Sequence, residues 1–153
     1  MSEIKRIVDQ MDRAFSGDAW HGPSLQRLLD GVSAEDASKH AIQGAHSIWE
    51  LVDHIAAWNT IVRLRLEGNF PKVTPEMDWP EVWEVSEVAW KSSLERLAES
   101  QALARKAVEK LSDDELDGKF TPDGGSRYLM LHGLVQHDLY HAGQIAILKK
   151  ALQ

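Results

Sequence analysis

Two histidines four residues apart, His137 and His141, lie in the run HGLVQHDLYHAGQIAILKKA at residues 132–151. On an α-helix this spacing stacks the imidazoles on one face, as a two-ligand clip for a single ion. Met130, Leu134, Ile145 and Leu148 fall on the same side of the helical wheel, so both rings are expected among core residues. An unpaired polar ring in an apolar interior costs roughly a few kcal/mol. The pair therefore needs hydrogen-bond partners, as in many buried histidines, or an ion with a third ligand.

A third histidine is available. Residues 48–67 carry Ile48, Leu51, Val52, Ile55, Trp58 and Val62 at helical spacing, and His54 sits on the flank of that stripe. If this helix neighbours the last one, His54, His137 and His141 meet at one ion and leave a position for water or substrate, as catalytic rather than closed structural sites do. Two carboxylates lie close in sequence to these ligands. Glu50, one turn before His54, can orient it or touch a bound water, although with Ser47 it also forms a capping box. Asp138 is turned from the ligand face by about a quarter of a turn and reads as an exposed salt-bridging residue. Trp20, His21, Trp58, Tyr140 and Gln144 are candidates to line a cavity for substrate or cofactor.

The elements that must position these residues are helices. Residues 2–16 show one apolar face at Ile4, Ile7, Val8, Met11 and Phe15. A long, partly helical crossover follows, with Pro23 in the first turn of a short helix and Gly31 at its end. His46, just before the Ser47 cap, is expected on the surface. Residues 68–80 contain three prolines and read as a loop packed by Phe70 and Trp79 at one end of the bundle. The third long helix is expected over 83–111, with Trp83 and Trp90 forming an aromatic stripe. Ser112 caps a short turn, and a connection with paired glycines leads to the last helix at 132–151.

Four long amphipathic segments without a strand pattern predict an all-α, up-down-type four-helix bundle in one domain, residues 1–153, with the long crossover between its first two long helices. Cysteine is absent, so any thiol chemistry must use a thiol from outside the chain. The formal charge of −7 argues for no nucleic acid among its partners. The charged N-terminal stretch and the lack of a long apolar run argue for no membrane and a cytoplasmic protein.

The stretches WHGPSL (20–25), GAHSIWELVDHIAAWN (44–59), DWPEVW (78–83) and HDLYHAGQIAILKK (137–150) resemble, in order and spacing, the DinB and YfiT-like superfamily of metal-binding four-helix bundles. The resemblance extends over nearly the whole chain. It implies a divalent ion such as zinc, nickel or iron held by His54, His137 and His141. It also implies a homodimer and a small-molecule substrate, and a link to thiol S-transferases and isomerases that use bacillithiol or mycothiol. Two other functions stay open. HDLYH matches the HExxH of metal hydrolases with Asp for Glu, although the acid is one methylene shorter and no downstream ligand follows. A non-enzymatic bundle that dimerises or binds a metal or small ligand is the other.

Overall fold

Serine and threonine side chains start most of the helices. Ser2, Ser33, Ser47, Thr74, Ser86 and Ser126 each accept from the backbone N–H three residues on, satisfying donors that the first turn leaves free. In the computed structural model, which describes residues 1–120 and 125–153, the helices are α1 (Glu3–Phe15), α2 (Leu25–Leu29), α3 (Ala34–Ser38), α4 (Ile48–Leu66), α5 (Pro75–Asp78), α6 (Glu87–Glu109) and α7 (Arg127–Ala151). A 3₁₀ turn at Asp113–Glu115 follows α6. The described residues contain no strand, and the fold is the expected all-α bundle.

The four long helices form a ring in which α4 packs on α6 and α7, and α1 closes the other side against the same two. Contacts along each pair fix the directions. Trp49 lies against Trp90 at 5.1 Å between ring centroids, and one turn further Asp53 meets Arg96 at 3.1 Å, so α4 and α6 run parallel. Leu51 and Ile55 share a core cluster with Ile145 and Leu148, whereas Val62 clusters with Leu131 and Leu134, so α4 and α7 are antiparallel. Parallel neighbours cannot be joined by a tight turn. The chain must return along an α4 of 19 residues, a length of about 28 Å, and residues 67–86 make that return.

Two apolar clusters fill the ring. One gathers Trp49, Ile55, Trp90 and Ile145; the other gathers Ile7, Val62, Val108 and Leu131. Between them on α4 and α7 lie the buried polar residues Asn59, Asp138 and His141. The functional layer is therefore a break in an otherwise apolar core.

Several local expectations change. Pro23 lies outside α2, whose N-cap is Ser24. Pro75 starts a one-turn helix inside the return segment, because a proline in the first turn lacks only an N–H that would be free anyway. α6 begins at Glu87, leaving Trp83 outside it and 85% exposed, so no stripe with Trp90 forms. Trp90 instead donates Nε1–H to the Val32 carbonyl at 2.8 Å. α7 starts five residues earlier than expected, where Ser126 caps it. Phe70 is exposed beside Phe120, while Trp79 packs elsewhere, on the histidines. The turn expected at the paired glycines falls partly on residues outside the described ones.

The end of α6 is tied to the start of α1 by Asp113, whose carboxylate accepts from the Glu3 and Ile4 backbone N–H groups at 2.9 and 3.0 Å. These bonds lower its pKa from the ordinary 3.8, so their contribution is present above that value and is lost as pH falls through the lowered one. Asp113→Ala is expected to lower the urea midpoint at pH 7. The gap to the native protein should close as the carboxyl protonates below about pH 4, and a pH-independent gap would show that charge is not involved.

Candidate metal centre

His54 on α4 faces His137 and His141 on α7, and the three rings meet through their Nε2 atoms. His137 Nε2 stands 3.0 Å from His54 Nε2 and 3.1 Å from His141 Nε2, with all three ligand nitrogens within 4.8 Å of one another. Two of the rings have a fixed tautomer. His54 Nδ1–H donates to the Asp78 carbonyl at 2.6 Å, and His141 Nδ1–H donates to Gln144 Oε1 at 2.6 Å. When neutral, each of these rings therefore turns an Nε2 lone pair toward the common point.

One proton on His137 Nε2 can serve only one of those two lone pairs. A divalent cation serves all three, and zinc–imidazole bonds of about 2.0–2.1 Å put tetrahedral ligand nitrogens about 3.3 Å apart. The donor set would fit such an ion with the two close pairs opened by a few tenths of an ångström and His54 and His141, within 4.8 Å of each other, drawn together. Burial also keeps the rings ready to ligate. Desolvation lowers the His54 pKa against the opposing effect of the Asp78 carbonyl, and it pushes His141 down to about 4.

The return segment closes over one side of the triad. Trp79 stacks on His54 at 3.8 Å and 7° between planes, and on His46 at 3.6 Å and 9°. Two rings so close to one indole cannot share a face, so Trp79 is held between them. Trp58 lies edge-on to His54 and donates Nε1–H to Asp78 Oδ1 at 2.7 Å. Asp78 thus aligns a ligand histidine through its carbonyl and Trp58 through its carboxylate. The residues before and after α5 owe their place to the parallel α4/α6 pair, and nothing in their local pattern marks them as part of the site.

Beside His141 lies a cavity of about 500 Å³ lined by Ile42, Leu51, Trp79, Tyr140, His141, Gln144 and Ile147 among others, which His54 and His137 do not border. Of the candidate lining residues, Tyr140 and Gln144 border this cavity, and Trp58 flanks the triad at 5.9 Å from His137. Trp20 and His21 do not join them. Both are exposed and line a separate groove with Gln10, Arg13, Val135 and Leu139. Glu50 is held in its capping box, accepting from Ser47 N–H at 2.7 Å, with His46 Nδ1 3.4 Å away.

Asp138 departs most from expectation. It is 5% exposed, because four residues after Leu134 and seven before Ile145 it falls on the buried stripe of α7. That stripe keeps the expected Leu134, His141, Ile145 and Leu148, adds Asp138, and takes Leu131 in place of Met130. Burial raises the pKa of Asp138. Its Oδ1 lies 3.7 Å from His137 Nδ1, and both atoms are buried without a hydrogen-bond partner.

An up-down-down-up ring with a buried histidine layer defines a helical bundle able to hold a metal. Residues 19–145 match the DinB superfamily, a metal-binding group to which the chain belongs. No curated protein sequence matches it. Among solved structures, the chain is similar to the colibactin self-resistance protein ClbS in complex with a double-stranded DNA, with a TM-score of 0.66 and 20% identity over 98% of this chain and 97% of that one. At that identity the likeness is one of fold. It nevertheless overturns the expectation of no nucleic-acid partner, since a protein of this fold is solved on duplex DNA. The charge of −7 averages the whole surface, whereas a duplex meets only one face. No described helix is long and apolar enough to cross a membrane.

The metal-free site carries an acid liability. Between pH 6.5 and about 4 the unfolded chain protonates a histidine that the folded chain keeps neutral at position 141, so stability falls as pH drops through that window. Chelator-treated protein should show a falling urea midpoint from pH 6.5 to 4, and the fall should shrink in His141→Gln. An equal fall in both would assign the loss to other groups.

Proposed function

We propose that the protein is a metal-dependent transferase that joins a low-molecular-weight thiol to a small, uncharged, largely apolar electrophile. The observation that carries this reading is a cavity bordered by one histidine of the layer, His141, with no carboxylate among its lining residues. His54, His137 and His141 would hold zinc, nickel or iron. A divalent ion there supplies Lewis acidity and lowers the pKa of a coordinated thiol, making thiolate available at neutral pH.

The chain's own residues bind and shield. Leu51, Ile147 and the indole of Trp79 form apolar walls, and Gln144 presents its amide N–H₂ beside the histidines. Hydrolysis is less well supported, because it asks for a base beside the open position. Glu50 is engaged at the helix cap and Asp138 is buried behind His137. The absence of cysteine leaves the thiol to an external donor, with bacillithiol and mycothiol as candidates. This reading puts the protein in the cytoplasm, where such thiols stay reduced. The fold shared with ClbS supports a second reading, binding to duplex DNA.

Native protein purified without a tag or chelator should carry about one divalent ion per chain. His54→Ala and His137→Ala should lose it while keeping their helical circular dichroism. Loaded protein should consume thiol in the presence of an apolar electrophile, and both variants should lose that activity by at least the ~10–100-fold that losing a ligand's hydrogen-bond partner costs. Failure to take up zinc, nickel or iron would sink the reading. Salt-sensitive anisotropy of a labelled duplex, undiminished in the histidine variants, would favour DNA binding instead.

A further inference from the structure

We infer that Asp138 is a positioning residue for the metal centre: its buried carboxylate accepts the Nδ1–H of His137 and holds that ring with Nε2 directed at the ion. The inference rests on the metal-binding reading above. A histidine that ligates through Nε2 keeps its proton on Nδ1 and needs an acceptor there. Three such acceptors are required. His54 has the Asp78 carbonyl and His141 has Gln144 Oε1, each at 2.6 Å.

His137 alone lacks one. Its Nδ1 is buried and unpartnered, and the carboxylate oxygen 3.7 Å away is buried and unpartnered as well. A donor and an acceptor of complementary type thus face each other half an ångström or so beyond ordinary hydrogen-bond reach. Among the described residues, the one ion-pair contact of Asp138 within 4.0 Å is with His137. An ion held by the trio would displace the His137 ring, whose Nε2 stands 3.0 and 3.1 Å from the other two, by a few tenths of an ångström, the scale of motion needed to close this gap.

The alternative is that Asp138 supports the fold. Its surroundings argue otherwise, because a carboxylate on the core stripe between Leu134 and Ile145 with a free oxygen opposes folding. The two roles predict opposite signs. A positioning carboxylate strengthens metal binding while weakening the metal-free protein; a structural one strengthens both.

The test compares the full chain with Asp138→Asn, whose amide oxygen still accepts a hydrogen bond, and Asp138→Leu, which cannot accept. Zinc affinity is measured by chelator competition, the melting temperature on chelator-stripped protein, and the state of the His137 Nδ1–H from its proton shift and exchange rate in the zinc-loaded protein. Asp138→Leu should bind zinc about 10–100-fold more weakly, with Asp138→Asn in between. Both should melt at or above the native temperature without metal. In the zinc-loaded native protein the His137 Nδ1–H proton should be shifted downfield and slow to exchange, as a hydrogen bond to a carboxylate makes it, and it should lose both properties in Asp138→Leu. Native-like affinity or an unchanged Nδ1–H signal in Asp138→Leu overturns the inference, as does a metal-free protein that melts lower or fails to fold. Native protein that takes up no zinc, nickel or iron overturns the metal reading and this inference with it. Uptake by the native chain with unchanged affinity in both variants overturns this inference alone.

Discussion

Three imidazole nitrogens pointed at one another inside a helical bundle form an arrangement that protons alone cannot satisfy. With Nδ1 of His54 and His141 committed to neutral oxygen acceptors, their Nε2 lone pairs converge on His137. Adding a second proton to the cluster would make a buried imidazolium, which desolvation resists, as the low pKa of His141 reflects. A divalent cation relieves both constraints together. Around it the helices must be set so that α4 and α7 run antiparallel at contact distance, and both clusters of the core serve that packing.

Connectivity supplies the rest of the site. Because α4 and α6 are parallel, the chain between them travels the length of the bundle, and its midpoint passes over the histidines. Asp78 and Trp79 sit there, one fixing a ligand tautomer and the other lying flat against the same ring. Trp79 and His141 also border the apolar cavity, so the indole that covers His54 is at the same time a wall of that cavity.

The meeting of His54, His137 and His141 was legible in the sequence because an i,i+4 histidine pair and a stripe-flanking histidine are local signals. The capping box at Ser47 and the helical class were legible for the same reason. Asp138 is misread when His137 is taken as the centre of the core face: the buried residues Leu131, Leu134, His141 and Ile145 centre the stripe between the two, which buries the acid and leaves the His137 side chain 24% exposed. Trp79 carried no local signal, since its place depends on which helices are parallel. Trp20 and His21 illustrate the reverse error, an attractive pair in a loop that the fold carries to a different groove. Trp83 was assigned to a helix that starts only after Ser86, and a seven-residue spacing means nothing outside the helix that defines it.

Charge is distributed with a similar economy. The chain has 24 acidic residues against 17 basic ones, yet none of the acids lines the cavity. Glu50, Asp113 and Glu115 serve helix starts, Asp53 and Asp12 hold arginines on α6, and Asp78 accepts from Trp58. The candidate ligand set is therefore three neutral imidazoles aligned mainly by dipoles, which leaves the positive charge of a bound divalent ion uncancelled by its ligands. Two carboxylates come near the trio, Asp78 with Oδ1 3.3 Å from His54 Nδ1 and Asp138 with Oδ1 3.7 Å from His137 Nδ1, and Asp138 stands behind His137 rather than in front of it. From there it can tune the basicity of one ligand without occupying the open position. The acidic side chains are thus kept behind the histidines and at helix ends, out of the cavity beside His141.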